Sequence, residues 1–146
     1  MSARRWLLAA VLVAAAAWAR PAAAKTELGL GADWLVDPGD GALMLTLAPE
    51  APIAQHLAVG ARFGAMLLSG PTALAVPLDV RLRARFPGVY LDFLGGPWIY
   101  FDQGDPVRLH GAIGFGILRR DVSFGLEVGW VHPTSIVGVR VAFPLG

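Results

Sequence analysis

The chain has 146 residues, of which 55% are hydrophobic and 16% are charged, with 12 basic residues, 11 acidic residues and no cysteine. This length suits one domain, and so small a net charge leaves no basic surface of the kind that binds nucleic acid. Because no disulfide is available, hydrogen bonds and packing alone must hold the fold together.

The first 24 residues predict a secretory signal peptide. Two arginines near the start precede an apolar run at 6–19, which is too short to span a bilayer as a helix, and three alanines before Lys25 form a small-residue cleavage site. We expect residues 1–24 to be removed and residues 25–146 to form the domain. Without the signal's three arginines, nine basic residues remain against 11 acidic ones.

Beyond residue 24, apolar and polar residues alternate, and a period of two predicts β-strands. Turn-forming residues, mostly glycine, proline and aspartate, divide this region into eight predicted strands, with residues 49–55 as a longer connection. No helical period and no linker interrupts the pattern. The predicted strands are 26–36, 42–48, 56–68, 72–86, 89–101, 107–118, 121–132 and 135–143.

Two predicted hairpins each place an acid across from an arginine on the polar face. A Pro-Gly turn at 87–88 puts Arg83 directly opposite Asp92. A Pro-Thr turn after residue 132 puts Glu127 directly opposite Arg140. Both hairpins therefore predict ion pairs between neighbouring strands.

The fifth predicted strand contains an interruption at residues 95–97, which read Gly-Gly-Pro. Proline cannot donate a hydrogen bond to a strand ladder, and glycine pairs are typical of bulges. We expect the register to break there. The facing of Trp98 and Tyr100 is therefore left open.

Alternation alone does not tell whether the apolar face is the core or the exterior. Three observations favour an apolar face turned to lipid. The chain has no asparagine and no lysine beyond Lys25, and its aromatic residues gather near two rims. Eight strands of roughly ten residues, tilted by ~40°, span about 25 Å, the height of the apolar band in an outer membrane. In lipid, an open sheet edge leaves unpaired backbone groups, so we predict an all-β, eight-stranded antiparallel up-and-down transmembrane β-barrel.

The inward face of such a barrel would carry charges of both signs. The interior of an eight-stranded barrel is only wide enough to be filled by side chains, and the arginine fork binds carboxylates bidentately. This favours a closed, charge-paired lumen over an open pore. The acids expected inside are Glu27, Asp33, Asp79, Asp92 and Glu127. The predicted ion-pair network consists of Arg62, Asp79, Arg81, Arg83, Arg85, Asp92, Arg108, Glu127 and Arg140.

In this pattern the chain resembles the small eight-stranded bacterial outer-membrane barrels, such as the OmpA transmembrane domain and its loop-poor relatives. The resemblance covers residues 25–146 and rests on the strand pattern, not on a family-specific motif. The alternation that ends in Phe143 is similar to the terminal signal that the barrel-insertion machinery reads, although three further residues follow it here. The resemblance implies outer-membrane lipid and that machinery as partners, and it identifies no protein partner.

Two other functions stay open beside a non-enzymatic barrel. His132 and Ser135 are similar to the His-x-Ser pair of some outer-membrane lipid A deacylases, but they lie one residue further apart and lack an evident acid. A periplasmic lipocalin-like binding barrel would also show eight strands. His110 and Glu127 come within reach of each other on strands six and seven, yet three scattered histidines give little support to a zinc site. We expect no catalytic residues, no metal and no cofactor.

Overall fold

The structure, a computed structural model, describes residues 25–37, 39–70, 73–101 and 104–146. The predicted signal peptide lies outside these residues and stays a prediction. No helix in the described part of the chain is long and apolar enough to cross a membrane. The strands are β1 (Lys25–Leu35), β2 (Asp40–Ala54), β3 (Leu57–Leu68), β4 (Ala73–Phe86), β5 (Val89–Tyr100), β6 (Val107–Leu118), β7 (Ser123–Val131) and β8 (Thr134–Leu145).

The eight strands form a closed antiparallel barrel in sequence order, which confirms the predicted fold class. Each strand pairs with its neighbour along the chain, and β1 closes the barrel by pairing with β8. Closure gives every strand a hydrogen-bonded neighbour on both sides, so no strand is left as an open edge. We call the end where β1 begins and β8 ends the terminal end, and the opposite end the far end.

Strand β2 is longer than predicted, and the prediction of a connection at 49–55 is wrong. The strand continues through two prolines to Ala54, paired with β1 as far as Glu50 and with β3 to its end. Its register with β3 shifts between Pro52 and Ala54, close to the end of the strand. Proline is tolerated at such an irregularity, so it did not end the strand as the sequence pattern indicated. The extension brings Glu50 to the inner face, where it is buried.

The predicted break in β5 is also wrong, because β5 keeps one register with β4 from its first residue to its last. A side chain at Gly96 would collide with the backbone carbonyl of Leu78, so this glycine allows a close approach of the two strands. The alternation therefore continues without interruption. Trp98 and Tyr100 both point inward and are 0% and 2% exposed.

The β7–β8 hairpin turns one residue earlier than predicted, since Val131 pairs with Thr134. Glu127 consequently lies opposite Gly138, and the predicted direct opposition of Glu127 and Arg140 is wrong. Moving a two-residue turn by one position shifts every pair by two residues. Because side chains alternate with a period of two, both residues stay on the inner face.

The outer face of the barrel is mainly apolar, whereas the charged residues of the strands lie on the inner face. Large apolar side chains at alternate positions are exposed all around the wall, among them Leu45, Val80, Phe93, Ile113 and Val139. Every charged residue on the eight strands falls at an inward-facing position of the alternation. The apolar side chains therefore face outward and the charged side chains face inward, as predicted.

Candidate functional site in the barrel lumen

The lumen is filled by three groups of side chains, arranged along the barrel axis. Burying a charge is costly unless it is paired, so the partners of each charged group decide whether the filling is stable. Nearest the terminal end is the terminal cluster, made of Glu27, Glu50, Arg81, Arg83, Arg85 and Asp92. Next comes the central cluster, made of Asp33, Arg62, Asp79, His110, Glu127 and Arg140. At the far end lies the apolar plug, made of Leu35, Ala42, Met44, Met66, Leu68, Ala73, Ala75, Trp98, Tyr100, Val131 and Ile136.

The terminal cluster is built around the β4–β5 hairpin. Arg83 lies directly opposite Asp92 in the strand register. Its guanidinium donates from Nε and Nη2 to the two oxygens of Asp92 at 2.7 and 2.8 Å, a bidentate fork. Nη1 of Arg83 also donates to Glu27 on β1 at 2.8 and 3.0 Å, so one arginine ties opposite walls of the barrel together.

Glu50 completes the terminal cluster from β2. Arg81 donates to Glu50 at 2.9 Å and to Glu27 at 3.2 Å. Arg85, which is half-buried near the terminal end, also donates to Glu50. Three guanidiniums are thus matched by three carboxylates, one of which the sequence pattern had assigned to a connection.

The central cluster is organised by Arg62 on β3. Its Nε and Nη2 donate to Oδ2 of Asp79 at 3.2 and 2.8 Å. Its Nη1 and Nη2 donate to the two carboxylate oxygens of Glu127 at 2.6 and 3.0 Å. Two carboxylates from β4 and β7 therefore share one guanidinium.

Arg140 on β8 extends the central cluster towards β1. It donates to Oε1 of Glu127 at 3.1 Å and to Oδ1 of Asp33 at 2.6 Å. The ion pair between Glu127 and Arg140 forms diagonally across the hairpin, because the side chain of arginine is long enough to reach past one pair of residues. Gly138, the direct partner of Glu127, leaves the space that Arg140 and Asp33 occupy.

Two aromatic rings link the central cluster to the apolar plug. Nδ1 of His110 lies 2.7 Å from Oδ1 of Asp79, and Nε1 of Trp98 donates to the same oxygen at 3.1 Å. The imidazole stacks on the Trp98 indole with ring centroids 4.1 Å apart. Asp79 therefore has three side-chain partners, Arg62, Trp98 and His110, while it is fully enclosed.

Arg108 differs from the other predicted members of the network. Its guanidinium carbon lies 4.4 Å from the ring centroid of Tyr100 near the far end, an arrangement typical of a cation–π contact. Among the residues that the structure describes, Arg108 makes no ion pair. Tyr100 belongs to the apolar plug, so this contact places Arg108 beside the uncharged part of the lumen.

Little empty space is left between these groups. A cavity of about 40 Å³ lies between the two clusters, lined by members of both. Such a volume holds water but not a metabolite. Within the described residues, no group of three or more histidine, cysteine or acidic side chains is placed to hold a metal ion.

The histidine and hydroxyl considered for catalysis lie outside the lumen. His132 and Ser135 are exposed near the far end, and the His132 ring meets Trp130 edge-on at 5.2 Å. In the described part of the chain, no carboxylate contacts His132 within 4.0 Å. His132 therefore lies in the turn between β7 and β8, against an exposed indole.

Sequence reasoning missed three features of the lumen. Glu50 was hidden by the prolines around it, and the partnership of His110 with Asp79 joins residues 31 positions apart. The apolar plug was missed because its alanines and methionines alternate with outward leucines, so that both faces are apolar over that part of β2 and β3. The plug could have been predicted from the apolar residues at inward-facing positions next to the far-end turns.

No protein-family model matches the chain, and no curated protein matches it. The solved structures that share its fold include three small β-barrels. A de novo designed transmembrane β-barrel is 9% identical with a TM-score of 0.66, covering 83% of this chain and 95% of that one. The designed barrel TMB2.3, solved by solution NMR, is 13% identical with a TM-score of 0.56, covering 84% and 94%. The N-terminal β-barrel domain of OprF from Pseudomonas aeruginosa is 9% identical with a TM-score of 0.54, covering 83% and 97%. At these identities the likeness concerns the fold alone, and that fold is the small transmembrane β-barrel that the sequence predicted.

Proposed function

We propose that the chain is an outer-membrane β-barrel protein with a closed lumen, and that its role is structural or in interaction with other components of the membrane. The observation that carries this proposal is the inverted distribution of polarity. Charges are buried in the lumen, whereas Leu30 and Val80 are 50% and 51% exposed on the wall. In water such a wall would be a large aggregating surface, while in lipid it is the solvated face.

Outer-membrane lipid is the proposed partner of the whole outer wall. The lipid-facing side chains run around all eight strands, and a groove of about 630 Å³ on the wall is lined by apolar residues of several neighbouring strands. The barrel-insertion machinery is the second proposed partner. Phe143 faces outward on β8, and β8 continues to Leu145 in register with β1, so two of the three residues after Phe143 extend the terminal strand.

A role without transport is supported by how the lumen is filled. The apolar plug occupies the far end, and paired charges occupy the rest of the section. The cavity between the two clusters has a volume of about 40 Å³, which is too small for a metabolite. The same cavity argues against a lipocalin-like barrel, which needs an apolar lumen large enough for a ligand.

Fractionation tests the proposal directly. We expect the exported chain in the outer-membrane fraction, with a gel mobility that changes on boiling because the folded barrel resists denaturation by detergent. A chain found in the soluble periplasmic fraction, with mobility insensitive to heat, would contradict the proposal.

Conductance tests closure separately. In planar bilayers we expect the folded chain to produce no stable ohmic channels. The double variant Trp98→Ala, Met66→Ala removes two fully buried side chains of the apolar plug and serves as the matched variant. Stable channels formed by the native chain would show that the lumen is open and would contradict the closed-barrel proposal, whereas channels formed by this variant alone would support it.

A further inference from the structure

Two arginines lie outside the lumen, in the turn between β6 and β7. Arg119 and Arg120 follow directly after the end of β6 at the terminal end of the barrel, and both are exposed. Every ion pair among the described residues is made by other side chains. Within the part of the chain that the structure describes, these two guanidiniums therefore have no carboxylate partner and can bind a group from outside the chain.

Arg119 continues the outward-facing side of β6. Leu118 pairs with Ser123 in the strand register, and the backbone N–H of Arg119 donates to the carbonyl of Val122 at 2.9 Å, which adds one more pair. Ile117, two residues earlier, faces outward and is 48% exposed. Since side chains alternate between the two faces, Arg119 falls on the outer side of the barrel, about 7 Å beyond Ile117 along the strand.

The position of Arg119 coincides with the edge of the apolar band. The outward side chains of β6 from Val107 to Ile117 are all apolar. A strand segment of that length, tilted by ~40°, spans about 25 Å, the height of the lipid-facing band of an outer-membrane barrel. With the wall facing lipid, Arg119 lies where the headgroups begin. Arginine suits this level, because its aliphatic stem covers apolar surface while its guanidinium reaches polar groups.

The two ends of the barrel differ in the sign of their exposed charges. Among the described residues, the exposed arginine, lysine and acidic side chains at the terminal end are Lys25, Arg119, Arg120 and Asp121. At the far end, the exposed side chains of these types are Asp37 and Asp105. Positive charge therefore exceeds negative charge at the terminal end, whereas the exposed charge at the far end is negative. An anionic ligand is accordingly attracted to the terminal end and repelled from the far end.

We propose that the β6–β7 turn is a binding site for anionic phospholipids, in which Arg119 and Arg120 donate hydrogen bonds to the phosphate of a lipid headgroup. The inference rests on the proposed function, because it needs the outer wall to face lipid. The guanidinium fork matches the geometry of phosphate oxygens. Basic residues close to a membrane surface attract anionic lipids, with an effect per residue that corresponds to about a fivefold change in affinity.

A lipid fits this turn better than a soluble anion or an acidic protein. Ile117 pairs with Phe124 across β6 and β7, and both are exposed directly below Arg119 on the outer wall. The acyl chains of a bound lipid would lie against these side chains while its phosphate contacts the arginines. A free phosphate ion would leave this apolar surface uncovered.

Lipid binding by the folded chain tests this inference. The chain is first folded in vesicles and its folding is verified by the heat-dependent gel shift. Native mass spectrometry in detergent micelles then measures its affinity for added phosphatidylglycerol and phosphatidylcholine. We expect the native chain to bind phosphatidylglycerol at least about fivefold more tightly than phosphatidylcholine. In the double variant Arg119→Gln, Arg120→Gln, we expect this preference to fall below about twofold.

Two control variants separate the turn from the net charge of the protein. Arg119→Lys, Arg120→Lys retains both charges and should retain most of the preference for phosphatidylglycerol. Gly104→Glu, His132→Glu lowers the net charge by the same amount as the glutamine variant, but at exposed positions of the far end. This far-end variant should leave the preference unchanged.

An unchanged preference in the glutamine variant, or an equal loss in the far-end variant, would overturn the inference. Displacement of phosphatidylglycerol by millimolar inorganic phosphate would also overturn it, because the site would then recognise free phosphate instead of a lipid. Failure of the native chain to fold in vesicles would contradict the proposed function itself. Folding without a preference for phosphatidylglycerol would contradict only this inference.

Discussion

The two halves of the lumen bury their side chains by different means. The terminal and central clusters are held by directional ion pairs, in which each carboxylate has at least one guanidinium within hydrogen-bond distance. The apolar plug is held by packing, with Met66 and Trp98 fully enclosed. A charged filling must match partners one by one, whereas an apolar filling must match only volume and shape. The same barrel encloses both kinds of filling. The backbone fold therefore does not dictate whether the side chains of the lumen are charged or apolar.

The seam between the halves lies at Asp79. Its carboxylate accepts from Arg62 on the charged side and from the indole of Trp98 on the apolar side. An indole is suited to this boundary, because its ring packs with apolar groups while its N–H reaches a polar partner. The two halves are therefore joined at Asp79. We expect substitutions in the charged half and in the apolar half to lower the stability of the barrel for different reasons and by different amounts.

The largest expected effect is the loss of Arg62 from the charged half. Arg62→Met leaves Asp79 and Glu127 each short of a cation, and we expect about 3–5 kcal/mol of lost stability, since buried charges are stranded. Urea unfolding in lipid vesicles measures this. Arg108→Met is the control, because it removes a luminal arginine that makes no ion pair with a described residue, and it should cost no more than about 1 kcal/mol. Equal losses would show that the ion pairs do not stabilise the lumen.

A somewhat smaller loss is expected in the apolar half. Met66→Ala empties part of the apolar plug, and we expect a cost of about 2–5 kcal/mol from lost packing and the cavity left behind. Its neighbour Leu67 is 56% exposed on the outer wall, so Leu67→Ala should be nearly neutral in lipid. Unfolding midpoints of the two variants in the same vesicles check the contrast. A larger loss at Leu67 would mean that the faces of β3 are reversed.

An arginine placed on the outer wall tests whether charges are tolerated there as they are in the lumen. Val80 lies in the middle of β4 and is exposed, so Val80→Arg should destabilise insertion by about 2–4 kcal/mol. Val89, at the terminal end of β5, is the matched position, and Val89→Arg should cost about 0–1 kcal/mol because it lies near the interface. Folded yield in vesicles, taken from the heat-dependent gel shift, gives the result. Equal tolerance at both positions would contradict a lipid-facing wall.

The smallest expected effect is the coupling between Glu127 and Arg140. A double-mutant cycle with both changed to alanine should give an interaction energy of about 0.5–3 kcal/mol. The interaction energy is limited because Glu127 also pairs with Arg62, and Arg140 also pairs with Asp33. The pair Glu127→Ala and Arg85→Ala crosses between clusters and should be additive within about 0.5 kcal/mol. Strict additivity in the first cycle would contradict the diagonal ion pair.

Much of the fold follows from local signals. Alternation with a period of two predicts eight strands and the facing of their side chains, and the tight turn at Pro87 and Gly88 predicts the register that sets Arg83 against Asp92. The incorrect predictions arose where local signals were ambiguous. Prolines near Glu50 and glycines before Trp98 are typical of breaks, but here neighbouring strands hold both segments in the sheet.

The alternating pattern therefore specifies the class of structure, because it gives a continuous apolar face and a sparse polar face with charges of both signs. Which of these charges meet depends on the folded barrel. Arg62 reaches Glu127 across 65 positions, and Arg140 reaches Asp33 across 107. Such contacts depend on barrel closure and on the stagger between strands. A period of two fixes the side on which a residue lies, but it leaves the height of that residue along the barrel axis free.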